Sequence, residues 1–119
     1  SGELAGLVLV ERRKRPPRAA LRLLEESADR DMKARSALAL GRWLAGEESR
    51  SAAGERVESA LVSLLSSEEP ALRASAARAL GESGRWGAVR HLQKMEEERL
   101  DVQLEIVGAI RGLAYAKSS

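Results

Sequence analysis

The densest group of residues able to do chemistry is Arg12-Arg13-Lys14-Arg15, followed by Arg18 and Arg22. Clustered cations of this kind bind phosphate, in a nucleic-acid backbone or on an anionic membrane surface. The competing reading is a solvated helix end, where cations favour the C-terminal dipole. No aromatic residue interleaves the cluster, so unpaired bases have no stacking platform. His91 is the only histidine and there is no cysteine. A thiolate metal site and a disulfide framework are therefore excluded. Beside His91 no serine has a nucleophile context, and Glu96 to Glu98 reads as a solvated acidic run. Phosphate-loop, dinucleotide, zinc-protease and calcium-loop motifs are absent, so no cofactor and no enzymatic activity are expected. Trp43 and Trp86 each follow Gly-Arg. Either can anchor a partner, but packing over the core at a turn is the simpler role for both.

The elements that must position these residues follow from composition. Of 119 residues, 20 are Ala and 18 are Leu, against seven Val and two Ile. That balance favours helices and is too poor in β-branched residues for a sheet protein. Basic and acidic residues nearly cancel, with a formal net charge of +2, which is not the footprint of a nucleic-acid-coating protein. No apolar run approaches the eighteen or so residues of a membrane span, and Leu4 to Val10 lacks the leading positive charges of a signal peptide. The lack of cysteine fits a soluble, cytoplasmic protein. Ser1-Gly2 resembles the remnant of a removed tag, so the chain is expected to be a segment of something longer.

Internal repetition organises the rest. Ala34 to Gly41 (ARSALALG) lines up with Ala74 to Gly81 (ASAARALG), and a more degenerate copy places Val102, Ile106, Val107, Ala109 and Ile110 on Leu72, Ala76, Ala77, Ala79 and Leu80. The period is 30 residues between the later copies and 40 between the earlier ones. The surplus has a home in the small, polar, Gly-bounded stretch 46–54, which reads as an inserted loop.

Each unit reads as two helices. The first, 16–45, opens at Pro16-Pro17, carries Ala20, Leu21 and Leu24 on one stripe, and turns at Ser27 to Asp31, with Asp29 or Asp31 as N-cap. Met32, Ser36, Ala37, Leu40 and Leu44 form the inner face of its second helix. The second unit, 55–84, points Val57, Ala60, Leu61, Leu64 and Leu65 inward. It turns at Ser66 to Glu69 and continues from Pro70 with Leu72, Ala76, Ala77 and Leu80 buried. The third, 85–116, buries Val89, Leu92 and Met95, turns near Glu98, and buries Val102, Ile106, Val107, Ile110 and Leu113. Residues 1–15 read as an N-terminal partial repeat or capping helix. Alanine at 37, 76, 77 and 79 permits close helix approach, and Gly41 and Gly81 sit where a side chain would collide with a neighbouring helix.

The string Glu69 to Gly81 (EPALRASAARALG) resembles the second helix of a HEAT repeat, and more narrowly the short repeats of about thirty residues named after phycobiliprotein lyases. The resemblance covers 16–116. It is strong in the second unit, fair in the first, where Met32 and Lys33 replace Leu72 and Arg73, and weak in the third, where Arg111 stands for Gly81. It implies an all-α, right-handed α-solenoid, or alpha-alpha superhelix, of about three helix pairs plus the N-terminal partial repeat. In such a stack the second helices line a concave surface. Lys33, Arg73 and Gln103 align across the units, Arg42 and Glu82 align one row along, and Arg78 lies between. These six are the expected protein-binding face, and charge reversal at Arg73 is expected to leave stability unchanged.

The function implied is a non-enzymatic, armadillo-like protein-binding scaffold. A nucleic-acid-binding module using Arg12, Arg13, Lys14, Arg15 and Arg18 is the alternative, and a lyase-like subunit the second. Three aromatics in all make a poor tetrapyrrole pocket.

Overall fold

The computed structural model describes residues 18–46 and 51–118. Its helices are α1 (Arg18–Glu26), α2 (Arg30–Leu44), α3 (Ala52–Leu64), α4 (Pro70–Glu82), α5 (Val89–Gln93) and α6 (Leu100–Ser118). A 3-10 turn, Trp86–Ala88, leads into α5. Among the described residues there is no strand, and no helix is long and apolar enough to cross a membrane.

Local chemistry sets the boundaries. Asp29 caps α2, its carboxylate accepting from the backbone N–H of Asp31 and Met32. This removes two of the orphan donors at the helix start. Ser51 does the same for α3 by accepting from Gly54 N–H. That helix therefore begins at Ala52 rather than at Glu55, and part of the expected 46–54 loop is helical, with Gly54 buried. Pro70 occupies the first turn of α4, where its missing N–H costs nothing. At the other end Ser83 Oγ donates to the Leu80 carbonyl at 2.6 Å, and Gly84 adopts φ +70°. A left-handed residue there ends the helix without a Cβ penalty. The first helix of the third unit is shorter than its counterparts, because Gly87 and the 3-10 turn take up its opening residues.

The helices pair as α1 with α2, α3 with α4, and α5 with α6. Contact between units runs mainly through the second helices, α2 to α4 to α6, while the first helices meet only sparsely. Glycine explains this asymmetry. A Cβ on Gly41 would overlap the Ala79 backbone, lying against its carbonyl oxygen and 2.8 Å from its Cα. One on Gly81 would lie 2.7 Å from Ala109 Cα. The expected collision at both glycines is thus real, and each second helix sits on the next with backbone nearly touching backbone. The tighter edge of a stack is its inner edge, so α2, α4 and α6 line the concave side of an α-solenoid.

One core runs through all three units, from Leu24 and Leu40 through Leu61, Ala76 and Leu80 to Leu92, Val102 and Leu113. Most inward assignments hold, but two do not. Met32 is 36% exposed and Val107 47% exposed. They occupy the outward sides of α2 and α6, the two end helices of the second-helix stack, where no further described helix covers them. Trp43 packs against the core, whereas Trp86 is largely exposed beneath Lys117, whose Nζ lies 4.5 Å from the ring centroid. This is a cation–π contact that ties the end of α6 to the start of its own unit.

Candidate protein-binding face

Four positions per second helix, at i, i+4, i+7 and i+11, form a stripe on the side away from the first helices. On α2 they are Asp31, Arg35, Leu38 and Arg42; on α4, Ala71, Ser75, Arg78 and Glu82; on α6, Asp101, Glu105, Gly108 and Gly112. All are exposed or half-buried. The stripes are in register, because Arg42 of α2 pairs with Glu82 of α4 at 3.9 Å. Both partners are accessible, so this pair sets alignment more than stability. Arginine dominates on α2, Arg78 and Glu82 balance on α4, and carboxylates dominate on α6. Small residues at 71, 75, 108 and 112 leave the floor between the charged rims open to close approach.

Arg42, Arg78 and Glu82 therefore lie on this inner stripe. Lys33, Arg73 and Gln103 also align with one another, but at the edge that carries the turns between paired helices. Arg73 is engaged on every side. Its Nε and Nη2 donate to both oxygens of Glu97 at 2.7 and 3.1 Å, and its Nη1 donates to the Ser67 and Glu68 carbonyls at 3.0 and 3.2 Å. Gln103 Nε2 donates to the Glu97 carbonyl at 2.7 Å. Arg73 thus clamps the 94–99 turn to the second unit and Gln103 ties it to α6, so Arg73 is part of the frame and not a free reader. Lys33 borders a groove of about 400 Å³ between the first two units, with Leu24, Ser67 and Leu72. A second groove of about 650 Å³ follows between the next two, bordered by Leu65, His91, Lys94, Met95 and the Arg73–Glu97 pair.

Glu97 corrects the reading of 96–98 as a uniformly solvated acidic run. Its side chain is only 5% exposed. The Arg73 guanidinium, hydrogen-bonded to it, holds its carboxyl below the ordinary carboxylate range, with the Arg99 N–H acting in the same direction. Arg99 likewise holds Asp101 low through a paired hydrogen bond. A carboxyl whose folded value is depressed contributes stability above the unfolded value, about 4.3 for Glu, and loses it as pH falls through the lower folded value. Thermal melts of Glu97→Gln should therefore lie below wild type at neutral pH and converge with it in acid. Arg73→Glu should lower the melting temperature clearly, in place of the neutral outcome expected from sequence, because it sets two carboxylates together in a half-buried turn.

His91 borders the larger groove, and the carboxylates there are paired or solvent-facing. Among the described residues no group of three or more His, Asp or Glu is arranged to hold a metal. Arg18 of the basic cluster is exposed at the start of α1, and Arg22, one turn on, pairs with Glu26 at 3.7 Å. Arg12, Arg13, Lys14 and Arg15 lie outside the described residues, as does the N-terminal partial repeat. Sequence reasoning missed Arg35, Leu38, Ser75 and Glu105. The signal was present, since the i, i+4, i+7, i+11 set recurs at the same offsets of 40 and 30 as the Ala-Leu-Gly motif.

A family model described as HEAT repeats matches residues 17–111. No curated protein matches the chain.

Proposed function

We propose that this chain, which belongs to the HEAT-repeat family, works as a non-enzymatic scaffold that holds a protein partner across the stripe of α2, α4 and α6. HEAT repeats are generally protein-interaction scaffolds. The observation that carries the reading is the register of that stripe: twelve accessible positions on three stacked helices, with a charge bias that changes sign from one end to the other. A partner surface of standard size, about 800 Å², matches three units. The sign change favours a partner with the opposite order of charges, acidic over Arg35 and Arg42 and basic over Asp101 and Glu105. Such charges set orientation and on-rate more than affinity.

Arg35→Glu/Arg78→Glu tests the proposal. Both arginines are exposed, so stability should change by no more than about 0.5 kcal/mol, while a partner captured by the wild-type chain is lost. Retention of that partner at unchanged affinity would overturn the assignment of the face. Phosphate-backbone binding fits this stripe poorly, because its α6 end is acidic. A mobility shift with duplex DNA that is saturable and weakens steeply between two salt concentrations would reverse that preference.

A further inference from the structure

The two junctions of the stack are pinned alike on the inner edge, by Gly41 on Ala79 and by Gly81 on Ala109. They differ at the edge that carries the turns. Ser27, Ser67 and Glu97 hold one and the same turn position. Each side chain accepts from the backbone N–H two residues on, of Asp29, Glu69 and Arg99, at 3.0, 3.1 and 3.1 Å. The two later turns are also held to their own second helices in one way. Arg73 Nη1 donates to the Ser67 carbonyl at 3.0 Å, and Gln103 Nε2 to the Glu97 carbonyl at 2.7 Å. What separates these turns is the reach of the side chain. The Glu97 carboxylate extends beyond its own unit and takes Nε and Nη2 of Arg73, at 2.7 and 3.1 Å, in a largely buried contact. One junction earlier the corresponding residues are Ser67 and Lys33. They border one groove, but neither a hydrogen bond nor an ion pair joins them, because a hydroxyl carried on Cβ falls short where a glutamate reaches. The pair that does cross the first junction, Arg42 with Glu82 at 3.9 Å, is open to water and contributes little.

We propose that the second and third units move as one rigid body, and that the stack bends at the junction between the first and second. The Arg73–Glu97 pair is the latch that makes the difference. Rotation at the second junction must part a charge-assisted, doubly hydrogen-bonded pair and leave two desolvated charges without partners. Rotation at the first junction opens only a groove whose polar groups are already solvated, about the Gly41–Ala79 contact as its pin. A hinge of this kind needs few residues to absorb it. Helix α2, with Arg35 and Arg42, then swings against a fixed block that carries Arg78, Glu82, Asp101 and Glu105. The inference concerns the frame, so it stands whether or not the stripe is the binding face.

The chain has no cysteine, so spin labels can be placed in pairs on introduced ones. Ala28, Glu68 and Glu98 are exposed and hold one position in the three turns. Dipolar electron paramagnetic resonance of the whole chain should give a broader distance distribution for Ala28→Cys/Glu68→Cys than for Glu68→Cys/Glu98→Cys. Glu97→Ser gives the third turn the residue of the second and should broaden the Glu68–Glu98 distribution. The reverse exchange, Ser67→Glu with Lys33→Arg, should narrow the Ala28–Glu68 one. Equal widths in the two parent pairs would overturn the hinge, and that comparison leaves the latch residues untouched. A Glu68–Glu98 distribution that stays narrow in Glu97→Ser would overturn the latch. So would an Ala28–Glu68 distribution that stays broad in Ser67→Glu/Lys33→Arg with an unchanged far-UV circular dichroism spectrum.

Discussion

Gly41→Val is expected to lower the melting temperature by more than 10 °C, at about 4 °C per kcal/mol for a chain of this size. The added side chain has nowhere to go. Its Cβ alone would meet the Ala79 carbonyl oxygen and lie 2.8 Å from Ala79 Cα and 2.9 Å from its carbonyl carbon. These are backbone atoms of a packed helix, and they cannot swing aside as a side-chain tip can. The helices α2 and α4 must separate, which opens the contacts of Leu40, Ala37, Ala76 and Leu80 along the same seam. Overpacking of this kind costs about 1–3 kcal/mol and occasionally more, and separation of two units belongs at the upper end. Gly41→Ala shows the competition directly. Alanine gains about 1 kcal/mol in helix propensity, yet the variant should still be destabilised. Gly112→Ala is the control. Its nearest contact is the Gly81 carbonyl oxygen at 3.7 Å, an ordinary separation, so propensity should win and the melt should rise. Circular dichroism melts of the four proteins decide the matter, and a Gly41→Ala melt at or above wild type would refute the close seam.

Leu80→Asp should abolish the cooperative melt altogether. Leu80 is fully buried in the central unit, and no cation is within its reach among the core residues. Deleting a buried leucine side chain costs about 2–5 kcal/mol by itself. Burying an ionised carboxylate without a partner adds a penalty large enough that the group protonates or the site opens. Domains of this size hold only about 5–15 kcal/mol in total. In a linear stack the loss also spreads, because each unit is stabilised largely by its neighbours. With α4 displaced, α2 and α6 lose the helix against which both are seated. Val107→Asp, placed on the exposed side of α6, should melt within about 0.5 kcal/mol of wild type. A native-like melt for Leu80→Asp would invert the inside and outside of the second helices.

The second unit was the most legible in sequence because every local signal there agrees. Pro70 starts the helix, Leu72, Ala76, Ala77 and Leu80 mark its buried side, and Gly81 marks the approach of the next helix. Each signal depends on residues a few positions apart, and each is borne out by the structure. What sequence hid depends on distant partners. Val107 falls on an apolar position of the repeat, and only the absence of a described neighbour beyond α6 makes it exposed. Glu97 sits between two solvent-facing glutamates and nothing local separates it from them. Its burial arises because the 94–99 turn folds back onto Arg73, 24 residues earlier. The inner stripe lies between these cases. Arg42, Arg78 and Glu82 could be placed by alignment, but Lys33, Arg73 and Gln103 fall about half a turn from the stripe, and Arg73 is taken up by the turns on either side of it.

The seam of glycine on alanine also determines how the stack can deform. Backbone pressed on backbone at Gly41–Ala79 and Gly81–Ala109 leaves no slack along the inner edge, while the sparse meeting of α1 and α3 leaves slack along the outer one. Such a body resembles a hand fan, whose ribs are pinned at one margin and spread at the other. Small rotations about the pins change its arc while every pinned contact is kept. A change of arc alters the separation of Arg35 from Glu105, and with it the span of partner that the stripe can grip.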